Sequence, residues 1–150
     1  MNTPQSKKHD AGSADERDAY DQLQCYTLAH GGAAFIHQHV VDVWAAQHAN
    51  ESTKPIGLIF ALVGLYLRVE KRYTGRHVQN VHMALARKKL EFPPISLPTD
   101  RGSMTAIDVM TASEGPERDR SIDQWCASVW AAYQVSHHTV IEFLQQHDIV

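Results

Sequence analysis

Histidine is the residue type in this sequence with the greatest capacity for chemistry, and 10 of the 150 residues are histidine. A neutral imidazole nitrogen ligates transition metals, and imidazole titrates near neutral pH, which suits acid–base catalysis. Three of the histidines fall in one short segment, HQHVVDVWAAQH at 37–48. Whether they can act together depends on the face of the helix that each one occupies.

The face of each histidine in this helix, predicted over 33–49, follows from its apolar residues. Four of these recur at helical spacing and mark the side expected to face the core: Ile36, Val40, Val43 and Trp44. At about 100° per residue, His37 and His48 fall on that side. His39 and Asp42 fall together on the opposite, polar side, so the sequence predicts two inward histidines and one outward His–Asp pair.

Two histidines from other helices are also predicted to point inward. His82 lies on the apolar side of a helix predicted over 75–90, and His137 shares the apolar side of the last helix. The sequence therefore predicts that a transition metal would take imidazole ligands from His37 and from one or more of His48, His82 and His137. His37 and His48 lie roughly 16 Å apart along their helix, so those two could not ligate one ion by themselves. Zinc, nickel, copper and iron all accept such ligands. On the predicted faces, Asp42 could orient only a histidine of another helix.

Structural histidines remain the alternative to this metal site. The sequence has no His-x-x-x-His, Glu-x-x-His or Cys-x-x-Cys spacing, each of which would place two ligands together on one element. A half-buried histidine is often a core residue whose ring nitrogens bond to a carbonyl or to water. The histidines therefore support two interpretations that only their positions in space can separate.

A small-molecule site between helices is the second kind of site that the residues suggest. Aromatic side chains commonly line such pockets, and Asp42, Trp44 and Tyr133 are its candidate ligand-binding residues. Neither Cys25 nor Cys126 has a nucleophile signature, and no phosphate-binding glycine loop occurs, so whether the protein is an enzyme stays open. The competing hypothesis is a non-catalytic module that binds a protein partner.

The elements that would position these residues are all predicted to be helical. Helices are expected at 13–29, 33–49, 55–72, 75–90, 106–112 and 117–146, and the proline-containing stretch 91–104 is expected to be a loop. Ser13 and Thr105 are expected to cap two of these helices, and Pro55 is expected in the first turn of a third. The segment IGLIFALVGLYL in the third helix is apolar all round, which predicts a central position. The expected fold is an all-α compact bundle of four main helices plus one or two short ones.

Composition places the chain among ordinary globular proteins. With 43% hydrophobic residues, 21% charged residues and a net charge of −3, the sequence predicts one domain at 13–150 after a disordered tail at 1–12. The charge argues against nucleic-acid binding, and the apolar run at 56–67 is too short to span a membrane. The polar start and two cysteines predict a cytoplasmic protein. Homodimerisation is expected, since two-fold dimers are the commonest oligomers.

Two stretches of the chain resemble a known family. FIHQHVVDVWAAQHA with KPIGLIFALVGLYLRVEK, and TAIDVM with WCASVWAAYQVSHHTVIEFL, are similar to a bacterial family of uncharacterised proteins known only as a domain of unknown function. The resemblance runs from about Tyr20 to Leu144. Some members carry an N-terminal Cys-x-x-Cys that this chain lacks. The resemblance implies relatives and no chemistry.

Overall fold

The computed structural model describes residues 14–30, 32 and 34–149, and all its regular elements are helical. The seven α-helices are α1 (Ala14–Ala29), α2 (His37–Gln47), α3 (Pro55–Val69), α4 (Gly75–Ala86), α5 (Ala106–Thr111), α6 (Pro116–Ala132) and α7 (His137–Gln146). The all-α prediction is confirmed for this part of the chain. The tail at 1–12 and the proposed helix cap at Ser13 lie outside the described residues.

Helix α3 forms the centre of the core, as its uniformly apolar sequence predicts. Its residues Ala61–Leu67 are buried without interruption. It packs against α2, α4, α6 and α7, so no side of it faces solvent along this stretch. Burial of apolar side chains on every face of this stretch stabilises the fold by removing them from water. In the described part of the chain, every helix is too short or too polar to cross a bilayer.

Helix α2 is also surrounded, which the sequence did not predict. It contacts α1, α3, α4 and α6. His39 is 2% exposed and Asp42 is 5% exposed, so the prediction that this pair lies on an outward face is wrong. A polar stripe faces solvent only when nothing else covers it, and here neighbouring helices cover it: Asp42 lies against Gly64 of α3.

The last predicted helix, 117–146, is two helices. Helix α6 ends at Ala132, a 3-10 turn covers Gln134–Ser136, and α7 begins at His137. Neither glycine nor proline lies at this break, and two side-chain hydrogen bonds flank it. The Tyr133 hydroxyl donates to Ala46 O at 2.7 Å, and His137 Nε2 donates to Trp130 O at 2.6 Å. The break lets α7 fold back against α3.

Local signals fix several other helix ends. Thr74 caps α4 by accepting from the His77 amide at 3.2 Å, and Pro55 and Pro116 occupy the first turns of α3 and α6. Thr105 precedes α5 as predicted, with its amide donating to Asp108 at 2.8 Å. Helices α3 and α4 end at Val69 and Ala86, earlier than the predicted 72 and 90. The stretch 91–104 has no helix, as expected.

Candidate functional site

His48 lies in a buried polar contact between α1 and α2. Its Nε2 is 3.0 Å from Glu16 Oε2, and its Nδ1 donates to Trp44 O at 3.1 Å. Its ring stacks on Trp44 with a centroid distance of 3.8 Å, and Trp44 also stacks on Tyr20 at 4.2 Å. Both nitrogens of His48 therefore have protein partners. A metal could bind only by displacing one of them.

His82 and His37 each have one nitrogen committed as a donor. His82 Nε2 donates to Phe60 O at 2.8 Å, which leaves Nδ1 as the acceptor of the neutral ring. His37 Nδ1 is 3.0 Å from Thr27 Oγ1, and that hydroxyl donates to main-chain carbonyls of α1. Burial lowers the pKa of both histidines from the ordinary value. Both rings are therefore neutral at pH 7.

The four histidines predicted as metal ligands do not share one site. His137 stacks on Trp130 at 3.7 Å and bonds to its carbonyl, at the junction of α6 and α7. Across residues 14–30, 32 and 34–149, no three His, Cys, Asp or Glu side chains are grouped in a way that could hold a metal ion. The separate partners of His37, His48 and His82 agree with that. Metal binding by these residues stays a prediction.

An aromatic residue four positions before a histidine accounts for much of the histidine content. Four such pairs have their rings in contact: Tyr26–His30 (tilted), Trp44–His48 (stacked), Tyr73–His77 (stacked) and Phe143–His147 (edge-on). In the first two, Nδ1 also donates to the carbonyl of the aromatic residue, at 2.7 and 3.1 Å. Each of these two carbonyls also accepts the backbone amide of the same histidine, at 3.2 and 3.1 Å, so the ring adds a second bond to the last turn of the helix. This recurring spacing is visible in the sequence and favours structural histidines.

Asp42 and His39 are buried polar residues of α2 that each leave one side-chain atom without a hydrogen bond. Asp42 Oδ2 and His39 Nδ1 are the two buried side-chain atoms without a hydrogen-bond partner in the described chain. Asp42 Oδ1 accepts from Gln38 Nε2 at 3.1 Å, and Gln38 Nε2 lies 3.5 Å from His82 Nδ1. Asp42 thus bonds to Gln38 of its own helix, and Gln38 in turn lies beside His82 of α4.

Burial keeps both members of this pair neutral. It raises the pKa of Asp42 well above its ordinary value, opposed by the Gln38 hydrogen bond. It also lowers the pKa of His39 to about 4, helped by the nearby Arg68 guanidinium and opposed by Asp123. The shifted pKa values of His39 and Asp42 make the stability of the fold depend on pH.

Acid is expected to destabilise the protein through His39. The unfolded chain takes up this proton near pH 6.5 and the folded chain only near pH 4. The contribution is therefore complete above pH 6.5 and is lost as pH falls towards 4, amounting to about 3 kcal/mol. NMR titration of the His39 ring should give a midpoint near 4. A midpoint near the ordinary value would show that His39 is not buried.

Arg101 is a buried charge outside the histidine sites, in the loop between α4 and α5. It is 7% exposed. Its Nε donates to Pro98 O, and its Nη1 donates to Gln47 O at 3.0 Å and to Ala46 O at 3.4 Å, at the carbonyl end of α2. The Tyr133 hydroxyl lies 3.5 Å from Nη1. The negative end of the α2 dipole thus supports the guanidinium.

One nitrogen of Arg101 remains without a partner. Its Nη2 has no hydrogen bond, and its guanidinium no salt bridge, to any residue that the structure describes. Since Nη2 is not among the fully buried unpaired atoms, it reaches solvent. Arg118 is equally buried, at 7% exposed, yet it has Glu114 at 3.8 Å. Buried charges are usually paired, so an unpaired guanidinium donor at a surface opening is a candidate anion site.

Two adjacent cavities meet beside Arg101. The Arg101 pocket has a volume of about 550 Å³ and is lined by Asn50, Glu51, Ser52, Leu97 and Arg101. The proline groove, of about 410 Å³, shares three of these residues. It adds an apolar lining: Pro55, Leu58, Phe92, Pro93, Pro94 and Ile95. The pair offers a guanidinium at one end and an apolar surface at the other, at sizes typical of small-molecule sites.

The residues predicted to bind a ligand line neither the Arg101 pocket nor the proline groove. Trp44 and Asp42 are buried and line neither cavity. Tyr133 is 1% exposed, and its hydroxyl contacts Arg101 from the core side. Arg101 was missed because its loop shows no periodicity. A single arginine among prolines and glycines was the available signal, and it is a weak one.

The sequence comparison places the chain among known proteins. Residues 9–134 match a family described as a family of unknown function, DUF5946. The chain belongs to that family. The match confirms the resemblance to an uncharacterised family, and it includes the Arg101 pocket and the proline groove while leaving α7 outside. No curated protein and no solved structure matches the chain, so DUF5946 membership brings no activity with it.

Proposed function

We propose that the protein binds a small organic acid with an apolar tail. The carboxylate binds Nη2 of Arg101, and the tail occupies the proline groove. The observation that carries this proposal is the guanidinium: it is 7% exposed, has no carboxylate partner in the described chain, and lines a pocket open to solvent. This favours the small-molecule hypothesis over a protein-interaction module.

The neighbours of Arg101 prepare it for an anion. Bonds from Nε and Nη1 to Pro98, Ala46 and Gln47 carbonyls hold the guanidinium plane in one orientation. A donor that is already oriented costs less ordering entropy when a ligand binds. Gln47 adds rigidity, because its amide donates to Arg101 O at 3.3 Å and Met104 O at 2.7 Å. The loop carrying Arg101 is therefore tied to α2 on both its side chain and its main chain.

The proline groove supplies the apolar part of the site. Its wall comes from the segment 92–97, and its floor includes Leu58 at the start of α3. Phe92 packs towards α7, with a centroid distance of 6.4 Å to Phe143. Prolines at 93 and 94 restrict the backbone of this wall. A preformed apolar surface of this kind binds an alkyl or phenyl group by removing it from water.

Replacing Arg101 tests the proposal. We expect 3-phenylpropanoate to bind the wild-type protein and Arg101→Met to weaken binding by about 10- to 100-fold, since a hydrogen bond to a charged group contributes about 1.5–3 kcal/mol. Isothermal titration calorimetry measures the affinity. If Arg101→Met does not fold, Leu97→Asp is the second variant, because it places a negative charge where the two cavities meet.

Arg118→Met is the matched control. Arg118 is as buried as Arg101 and donates to the Ala112 and Met110 carbonyls, but it lines neither cavity. It should lower the melting temperature without changing affinity. Equal loss of binding in both variants, or no binding of 3-phenylpropanoate to the wild type, would contradict the proposal.

A further inference from the structure

We infer that the ligand of this site is an α-amino acid with a large apolar side chain. The inference rests on the proposed function and narrows it from organic acids to zwitterions. It comes from a second charge, Glu51, which lines both the Arg101 pocket and the proline groove. The chemical class follows from the charge pattern of the opening.

Glu51 and Arg101 are opposite charges that share a pocket without pairing. The two side chains form no salt bridge with each other, and Glu51 has no polar partner among the residues that the structure describes. Two unpaired opposite charges in the lining of one pocket suit a ligand that carries both signs. In an α-amino acid the ammonium and the carboxylate are one carbon apart, so a single ligand can meet both residues.

The turn that carries Glu51 is held by its own hydrogen bonds. The Ser52 amide donates to Asn50 Oδ1 at 2.8 Å, and the Asn50 amide donates to Thr53 Oγ1 at 2.9 Å. Such turns fix the backbone on either side of the central residue. The backbone of Glu51 therefore has a defined position, although its side chain is exposed. Asn50 lines both cavities and retains its side-chain NH₂ group as a donor for the carboxylate.

Ligands with only one charge fit this pattern less well. A simple carboxylate is attracted by Arg101 but repelled by Glu51. An amine is attracted by Glu51 but repelled by Arg101. A phosphate dianion would be repelled more strongly still, with one guanidinium to offset it. The zwitterion gains both contacts and adds its side chain to the proline groove, where Leu58 and Ile95 provide apolar surface.

Three ligands that differ by one group each test the charge pattern. Phenylalanine carries both charges, 3-phenylpropanoate lacks the ammonium, and phenylalaninamide lacks the carboxylate. Calorimetry with the wild-type protein should show phenylalanine binding about fivefold tighter than 3-phenylpropanoate, the modest gain expected from an exposed ion pair. Phenylalaninamide should bind at least tenfold more weakly than phenylalanine, since it loses the contact with the Arg101 guanidinium.

Glu51→Gln then assigns the ammonium contact. It should lower the affinity for phenylalanine about fivefold, while the affinity for 3-phenylpropanoate stays the same or rises. Glu91→Gln is the matched control, because Glu91 is an exposed carboxylate beside the proline groove and lines neither cavity. It should leave both affinities unchanged.

The outcomes separate this inference from the proposed function. If 3-phenylpropanoate binds as tightly as phenylalanine and Glu51→Gln changes neither, the amino-acid inference fails while acid binding at Arg101 stands. Tight binding of phenylalaninamide that survives Arg101→Met would overturn both, as would no binding of any of the three ligands. An equal effect of Glu91→Gln would assign the preference to general surface charge and overturn the inference.

Discussion

Gly64→Ala is expected to destabilise the protein by about 3 kcal/mol, a large effect for one methyl group. Gly64 lies in the middle of α3, where that helix crosses α2. A Cβ atom at this position would be 1.9 Å from Asp42 Oδ2 and 2.5 Å from Asp42 Cγ. Both neighbours are buried, so the helices must separate or the Asp42 side chain must leave its place. Urea denaturation monitored by circular dichroism measures the loss.

Gly57→Ala is the control on the same helix. The nearest atom to a Cβ at Gly57 is Thr53 Cγ2 at 4.0 Å, an ordinary contact. Alanine has the higher helix propensity, so this variant should gain about 0.5–1 kcal/mol. The double variant Gly64→Ala/Asp42→Ala removes the clash and should recover about 2 kcal/mol relative to the sum of the single changes. A Gly64→Ala protein as stable as the wild type would contradict the close approach of α2 and α3.

Asp42→Asn is expected to stabilise the protein at neutral pH. The unfolded Asp42 ionises near its ordinary pKa of 3.8, whereas burial keeps the folded carboxyl protonated well above that value. Its contribution to stability is complete below pH 3.8 and is lost as pH rises towards the folded pKa. Asparagine has nearly the same shape, keeps the oxygen that accepts from Gln38, and does not ionise.

The expected difference between Asp42→Asn and wild type grows with pH. Each pH unit between the unfolded and folded pKa values adds about 1.4 kcal/mol to the advantage of the variant. Free energies of unfolding measured from pH 4 to pH 8 test this slope. Asp123→Asn is the comparison variant, because Asp123 is only partly buried and pairs with Arg68 at 2.8 Å, so it should lose stability instead. A constant difference across the pH range would show that Asp42 is ionised in the fold.

The sequence predicted those helix ends that are set by interactions within one turn of the helix. Thr105 and Pro55 mark helix starts through bonds and dihedral angles within one turn, and both were predicted. The end of α6 at Ala132 was not predicted, and the contact found beside it is distant in sequence: the Tyr133 hydroxyl donates to Ala46 O, 87 residues away. Hydrophobic periodicity continues across that break and carries no sign of it.

The sequence by itself determined that the protein is helical and that α3 is central, because an apolar side chain at every position of a helix has a favourable place only inside. Only the tertiary structure decided which side chains of α2 are buried: His39 and Asp42 are, because other helices cover their side. It also decided the candidate site. Arg101 is oriented by the carbonyl end of α2, 54 residues away, and it shares its pocket with Glu51 from a separate turn. Such contacts depend on how elements pack against one another, and periodicity records only which side of each element is apolar.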